Sequence, residues 1–223
     1  MRPSAPCRAA FQDRIREGFL AITLHKGDLP DGLDLGPVVA VDSETLGLSL
    51  TRDALCVVQL CGDGENAHLV QLERPGYDCP NLKRLLGDPG VEKILHYARF
   101  DVGMFLLHLG VAATPLFCTK IASRLARTYT DRHGLKDVTK ELLGVDLSKQ
   151  QQSSDWGAAE LSDAQLQYAA SDVLHLHALK AKLEPMLARE GRLELARACF
   201  AFLPTRATLD LAGWPDVDIF AHS

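Results

Sequence analysis

No two of the six cysteines form a Cys-x-x-Cys pair, and no cysteine–histidine cluster has zinc-finger spacing. A structural zinc site and a dithiol redox motif are therefore excluded, and thiols buried in a core within a reducing cytosol are the expectation. Nor is there an apolar stretch long enough to span a bilayer. The first thirty residues, MRPSAPCRAAFQDRIREGFLAITLHKGDLP, begin basic but lack a continuous apolar h-region, so no secretory signal is expected and the cytoplasm is the expected compartment. No G-x-G-x-x-G follows the first strand-like run and no G-x-x-x-x-G-K-[ST] occurs, which takes the main support from dinucleotide and P-loop readings. Positive charge is not in excess either. Lys and Arg number 24 against 29 Asp and Glu, a net charge of −5, so no global basic field advertises nucleic acid, although a local basic groove remains open. Internal repeats and low-complexity segments are also missing.

What is present suits one domain with a small extension: 223 residues, 47% of them apolar. Strand patterns fall at residues 37–42, 54–62, 66–72 and 91–98, with a turn-rich GDGEN between the second and third. Helical spacing marks 81–90, 100–110 and 134–144, each stopped by glycine or proline. Residues 115–129 read as a short strand running into a helix. The longest helical pattern covers 161–187 with Ser162 as N-cap candidate, and a last helix covers roughly 188–203. Three strands followed by strands alternating with helices predict an α/β domain, a mixed central sheet of about five strands flanked by helices.

The stretch PVVAVDSETLGL (37–48) ends an apolar strand with Asp42 and Glu44, two residues apart and so on one face. Two neighbouring carboxylates repel unless something positive sits between them; the alternatives are a solvated strand end and a metal site. Asp101 follows HYARF at a strand–helix junction, where a carboxylate is also explained by the helix dipole. Asp172 lies inside the long helix among Leu166, Ala169, Val173 and Leu176, with Tyr168 one turn earlier on the same face. A carboxylate on the buried side of a helix requires a partner. Oxygen-only donors of this kind suit Mg²⁺ or Mn²⁺ better than Zn²⁺, and two such ions about 3.5–4 Å apart perform in-line phosphoryl displacement.

The segments VDSETLGL, HYARFD and YAASD, in that order, resemble the three exonuclease motifs of the DEDDy 3′→5′ exonucleases, the RNase D-like branch with a DnaQ-like, RNase H-like fold. SKQQQSSDW (148–156) adds to the likeness, since RNase D-like proteins carry K-x-x-Q-x-S-D-W before the third motif. GAAEL stands where the family often has Arg-Pro, and no second helical domain of the kind RNase D uses to hold tRNA is visible. FCTKIASRLARTYTDRHGLK and the tail DIFAHS are similar to the short, stand-alone nano-RNase C enzymes, over roughly residue 22 to the end.

The resemblance implies a diribonuclease acting on short RNA and dinucleotides, including pGpG, and a homo-oligomer in the form of an octameric ring, without a membrane. It implies that Asp42, Glu44, Asp101 and Asp172 hold two Mg²⁺ or Mn²⁺ ions and that Tyr168 positions the attacking water. It implies further that Leu48 wedges apart the last two bases. His96 is a further candidate substrate contact, and Lys149, Gln152 and Ser153 either bind the terminal 5′ phosphate or belong to a polar loop, QQQSS, that only caps the following turn. The expected divisions are an N-terminal extension (1–21), the exonuclease domain (22–204) and a C-terminal tail (205–223) that serves as a subunit contact. Alternatives are a general 3′-5′ exonuclease on longer RNA or DNA, and a catalytically inactive binding or scaffold protein. Between residues 118 and 149, seven basic residues (Lys120, Arg124, Arg127, Arg132, Lys136, Lys140, Lys149) stand against four acidic ones, either as a phosphate-binding groove wall or as solvated helix faces.

Overall fold

The computed structural model describes residues 21–62, 64–148 and 150–222. Lys149 lies outside the described residues. A six-stranded mixed sheet runs in the order β1-β4-β3-β2-β5-β6. Its strands are β1 (Ala21–Lys26), β2 (Val38–Thr45), β3 (Leu55–Cys61), β4 (Asn66–Gln71), β5 (Glu92–Leu95) and β6 (Leu116–Cys118). The helices are α1 (Pro80–Gly87), α2 (Ala98–Met104), α3 (Thr119–Ala126), α4 (Leu135–Leu143), α5 (Asp163–Leu174), α6 (Leu176–Arg189) and α7 (Leu193–Leu211).

β3, LCVVQLC, is buried at every residue, which is what a continuous apolar run means in the middle of a covered sheet. It pairs antiparallel with both β2 and β4, while β5 adds to β2 in parallel and β6 to β5. The sixth strand is β1, paired in parallel with β4. Within its six residues, AITLHK, only Ile22-Thr23-Leu24-His25 alternate apolar and polar, too short a run to mark a strand, and this edge strand makes the sheet six-stranded where about five are expected.

Two expected helices differ. The pattern over 161–187 is split at His175 into α5 and α6. α5 lies on β2, β3 and β4, whereas α6 packs on α3, α4 and β5, so the two halves serve different surfaces. The last helix extends eight residues past 203, to Leu211. β5, expected over 91–98, stops at Leu95: Tyr97 takes a left-handed backbone (φ 64, ψ 38) and α2 starts directly after it. α2 then runs into one π-helical turn, Phe105–Leu109. Four of the five described cysteines, Cys56, Cys61, Cys79 and Cys118, are buried in the core. No helix among the described residues is long and apolar enough to cross a membrane.

Candidate active site

Asp42 and Glu44 come from the C-terminal half of β2, where the strand register slips between Glu44 and Thr45. Such a bulge re-aims side chains at a sheet end. Asp172 comes from α5, whose start is fixed by a full capping box. The Ser162 hydroxyl accepts from the Gln165 backbone N–H, and the Gln165 side chain accepts from the Ser162 N–H at 3.0 Å. Gln165 Nε2 also donates to the Asp155 carbonyl at 3.0 Å, tying the helix to the SDW segment. Carboxylate oxygens of Asp42, Glu44 and Asp172 all lie within 4.8 Å of one another. Asp101, in the first turn of α2, lines the same cleft, with Oδ1 accepting from the Ser43 hydroxyl at 2.6 Å.

These groups are held in a costly electrostatic state. Burial, with repulsion from Asp101, Asp172 and Glu44, pushes the Asp42 carboxyl well above the ordinary range. Burial, then Asp172 and Asp101, pushes Glu44 up to about 9. Asp101 and Asp172 each rise to about 7 through burial, partly offset by hydrogen bonds from Ser43 and Tyr168 respectively. A set of oxygen donors packed against its own repulsion fits a hard divalent cation. The phenol of Tyr168 is raised far above its usual value, by burial first and by Asp172, Glu44 and Asp42 after it, so it stays neutral and hydrogen-bonds to Asp172. Trp156 of the SDW segment is buried beside it, with ring centroids 6.1 Å apart.

A cleft of about 570 Å³ opens over the carboxylates. Leu48, His96, Gln152 and Ser153 all line it. Leu48 is 87% exposed, a large apolar side chain standing on the rim. His96 is half-buried, with Nδ1 2.9 Å from the Thr119 hydroxyl, and burial together with the Lys120 charge lowers its pKa to about 3. It therefore offers a neutral ring and no positive charge to a phosphate.

The basic window divides. Arg127 is fully buried and donates to Ser123, the Arg132 carbonyl and Glu141, so it is structural. Lys136 and Lys140 share Asp146, at 3.2 and 2.7 Å. Of the described basic residues in the window, Lys120 and Lys136 line the cleft. Sequence reasoning passed over Ser43, Thr119 and Tyr97. Ser43 and Thr119 act through tertiary hydrogen bonds that no local pattern reveals, whereas Tyr97 was visible inside HYARFD.

Residues 28–188 match the 3′-5′ exonuclease family model of the DNA polymerase A type. The chain is 38% identical over 201 residues to Ribonuclease D of Gluconacetobacter diazotrophicus, covering 90% of this chain and 50% of that protein. It spans about half the length of the curated relatives it matches. Among solved structures, Brucella melitensis NrnC bound to pGG is 54% identical with a TM-score of 0.88, covering 92% of this chain and 100% of that one. Brucella melitensis NrnC with bound Mg²⁺ is 53% identical with a TM-score of 0.86, covering 91% and 99%. The matched family model, the RNase D relatives and the full-length likeness to NrnC place the chain in the RNase D-like 3′-5′ exonuclease family, as an NrnC-like member.

Proposed function

We propose that the protein is a metal-dependent 3′-5′ exoribonuclease that hydrolyses very short RNA, preferentially 5′-phosphorylated dinucleotides such as pGpG, to mononucleotides. The observation that carries this reading is the cleft floor, where three carboxylates converge within 4.8 Å at raised pKa. Asp42, Glu44 and Asp172, joined by Asp101, would hold two Mg²⁺ or Mn²⁺ ions, which when bound supply water activation and neutralise charge on the leaving 3′ oxygen. Tyr168, a neutral donor fixed on Asp172 and backed by Trp156, orients the water rather than deprotonating it. Leu48 parts the last two bases from the rim, and Gln152, Ser153 and Lys149 close on the 5′ phosphate. The NrnC structure bound to pGG supports a short substrate, and the Mg²⁺-bound one supports a divalent ion. The Ribonuclease D relatives favour a second reading, trimming of longer RNA.

The test is product polarity under metal control. Mononucleotides should be released one at a time from the 3′ end in Mg²⁺ or Mn²⁺, with none in EDTA and none from Asp172→Asn. Full turnover in EDTA would overturn the reading.

The subunits are further proposed to assemble into a homo-oligomer through the C-terminal segment. Trp214, Ile219 and Phe220 stay exposed even though Arg206 donates to the Trp214 and Pro215 carbonyls, holding the segment on its own subunit. Deleting residues 214–223 should lower the mass seen by light scattering, and an unchanged mass would rule out this contact.

A further inference from the structure

We propose that Lys120, held on the ring of Tyr97, is a contact for a substrate phosphate at the mouth of the cleft, a refinement that rests on the exonuclease reading. Tyr97 occupies the left-handed region at φ 64. A bulky L-residue is an outlier there, where glycine or asparagine is usual, and such conformations concentrate at functional sites. Packing does not explain the choice of tyrosine, because Tyr97 is 48% exposed on the cleft wall. What the strained backbone achieves is to hold an aromatic face under a cation. Lys120 Nζ lies 3.9 Å from the ring centroid, well within cation–π range.

Lys120 differs from the other cations of the window. Lys136 and Lys140 share the carboxylate of Asp146, and Arg127 is paired with Glu141. Among the described residues Lys120 has no carboxylate partner, and one turn later on α3 stands Arg124, exposed and likewise without one. Like charges four apart on a helix destabilise each other. Burial and the Arg124 charge both lower the Lys120 pKa. An anion docked at Lys120 relieves both effects. The half-buried ammonium of Lys120 lines the cleft and is open to a phosphodiester entering it. The role of Tyr97 is positioning: it fixes the ammonium on the cleft side, and the contact is lost if the ring is removed.

The probe is a 5′-phosphorylated dinucleotide with a non-hydrolysable linkage, titrated calorimetrically in Mg²⁺ at several monovalent salt concentrations. Lys120→Met should weaken binding about tenfold and flatten the dependence of log Kd on log salt, because one salt-screened contact between an ammonium and a phosphate is lost. Tyr97→Leu should do the same, and the double variant should be little worse than either single one. Tyr97→Phe, which keeps the ring, should recover the wild-type slope, an outcome that a fold defect does not produce. Lys140→Met is the control, since it removes an equal charge from a residue outside the cleft, and it should leave slope and Kd as in wild type. Repeating the titration without the 5′ phosphate identifies the contact: a Lys120→Met effect that vanishes assigns it to the terminal phosphate, one that persists to the internal linkage. A wild-type slope and Kd in Lys120→Met, or an equal loss in Lys140→Met, would overturn the proposal. Binding that depends on Lys120 in a protein that cleaves nothing would instead overturn the functional reading and leave the contact standing.

Discussion

The guanidinium of Arg99 clasps the carboxylate of Asp210, with Nε 2.6 Å from Oδ2 and Nη2 2.7 Å from Oδ1. Arg99 stands two residues before Asp101 on α2, and Asp210 is on α7, so the pair fastens the helix carrying Asp101 of the candidate site to the end of the fold. Arg206 donates to the same Oδ1 at 2.6 Å, and Arg99 reaches on to the Pro215 carbonyl at 2.5 Å. Burial pushes Asp210 up, but the two arginines outweigh it and hold the carboxyl below its usual range. Asp210→Ala strands two cations around a site with 2% side-chain exposure. The arginines left behind are 34% and 19% exposed and rehydrate in part, so the loss is about 1.5–3 kcal/mol, the worth of hydrogen bonds to a charged group. A fall in thermal midpoint of several degrees is expected, and an unchanged midpoint would mean the cluster is not needed to hold α7.

The carboxylate cluster makes metal-free stability depend on pH in a defined sense. Asp101 and Asp172 titrate at about 7 and Glu44 at about 9 in the folded chain. All three are raised above the unfolded carboxylate range near ~4. Between those values the folded state binds more protons than the unfolded state, so stability is fully present at acid pH and falls as pH rises through ~7 to ~9. Thermal melts in EDTA should show the midpoint declining from pH 5 to pH 9. Mg²⁺ should raise it more at pH 8 than at pH 5, since ion and proton compete for the same oxygens. Asp101→Asn removes one repelling charge and should flatten the decline while abolishing turnover. A melt in EDTA that improves toward alkaline pH would contradict the cluster.

Tyr168→Phe keeps the ring against Trp156 and removes only the hydroxyl bonded to Asp172. A hydrogen bond to a charged group is worth roughly 1.5–3 kcal/mol. With a water-positioning role, kcat should fall about one to two decades and KM change little. An unchanged kcat, with chemistry shown to limit turnover, would remove Tyr168 from the mechanism.

How far such features can be read from sequence follows their range along the chain. Asp42 and Glu44, two apart on a strand, and Tyr168 and Asp172, four apart on a helix, are short-range relations, and periodicity suffices to see them. Ser162 as a cap is equally local and stands where S-x-x-Q places it. The pairing of Arg127 with Glu141 is set by how α3 meets α4, so a count of charges over 118–149 cannot separate a buried arginine from a groove lysine. The break at His175 is likewise tertiary, because α5 and α6 cover different elements under one unbroken helical pattern. The left-handed Tyr97 is hidden because nothing but glycine or asparagine announces that backbone in a sequence.

The most direct measurement is kcat/KM in Mg²⁺ for 5′-phosphorylated RNAs from two to about ten nucleotides. A dinucleotide offers few contacts, so an enzyme that prefers it must hold both ends, with the metals and Leu48 at the 3′ side and a closed pocket at the 5′ phosphate. The dinucleotide should exceed every longer RNA by at least about tenfold, and removing its 5′ phosphate should lower its value by a similar factor, the worth of one charge-assisted contact. Comparable values across all lengths would contradict the account and replace it with a general 3′-5′ exonuclease.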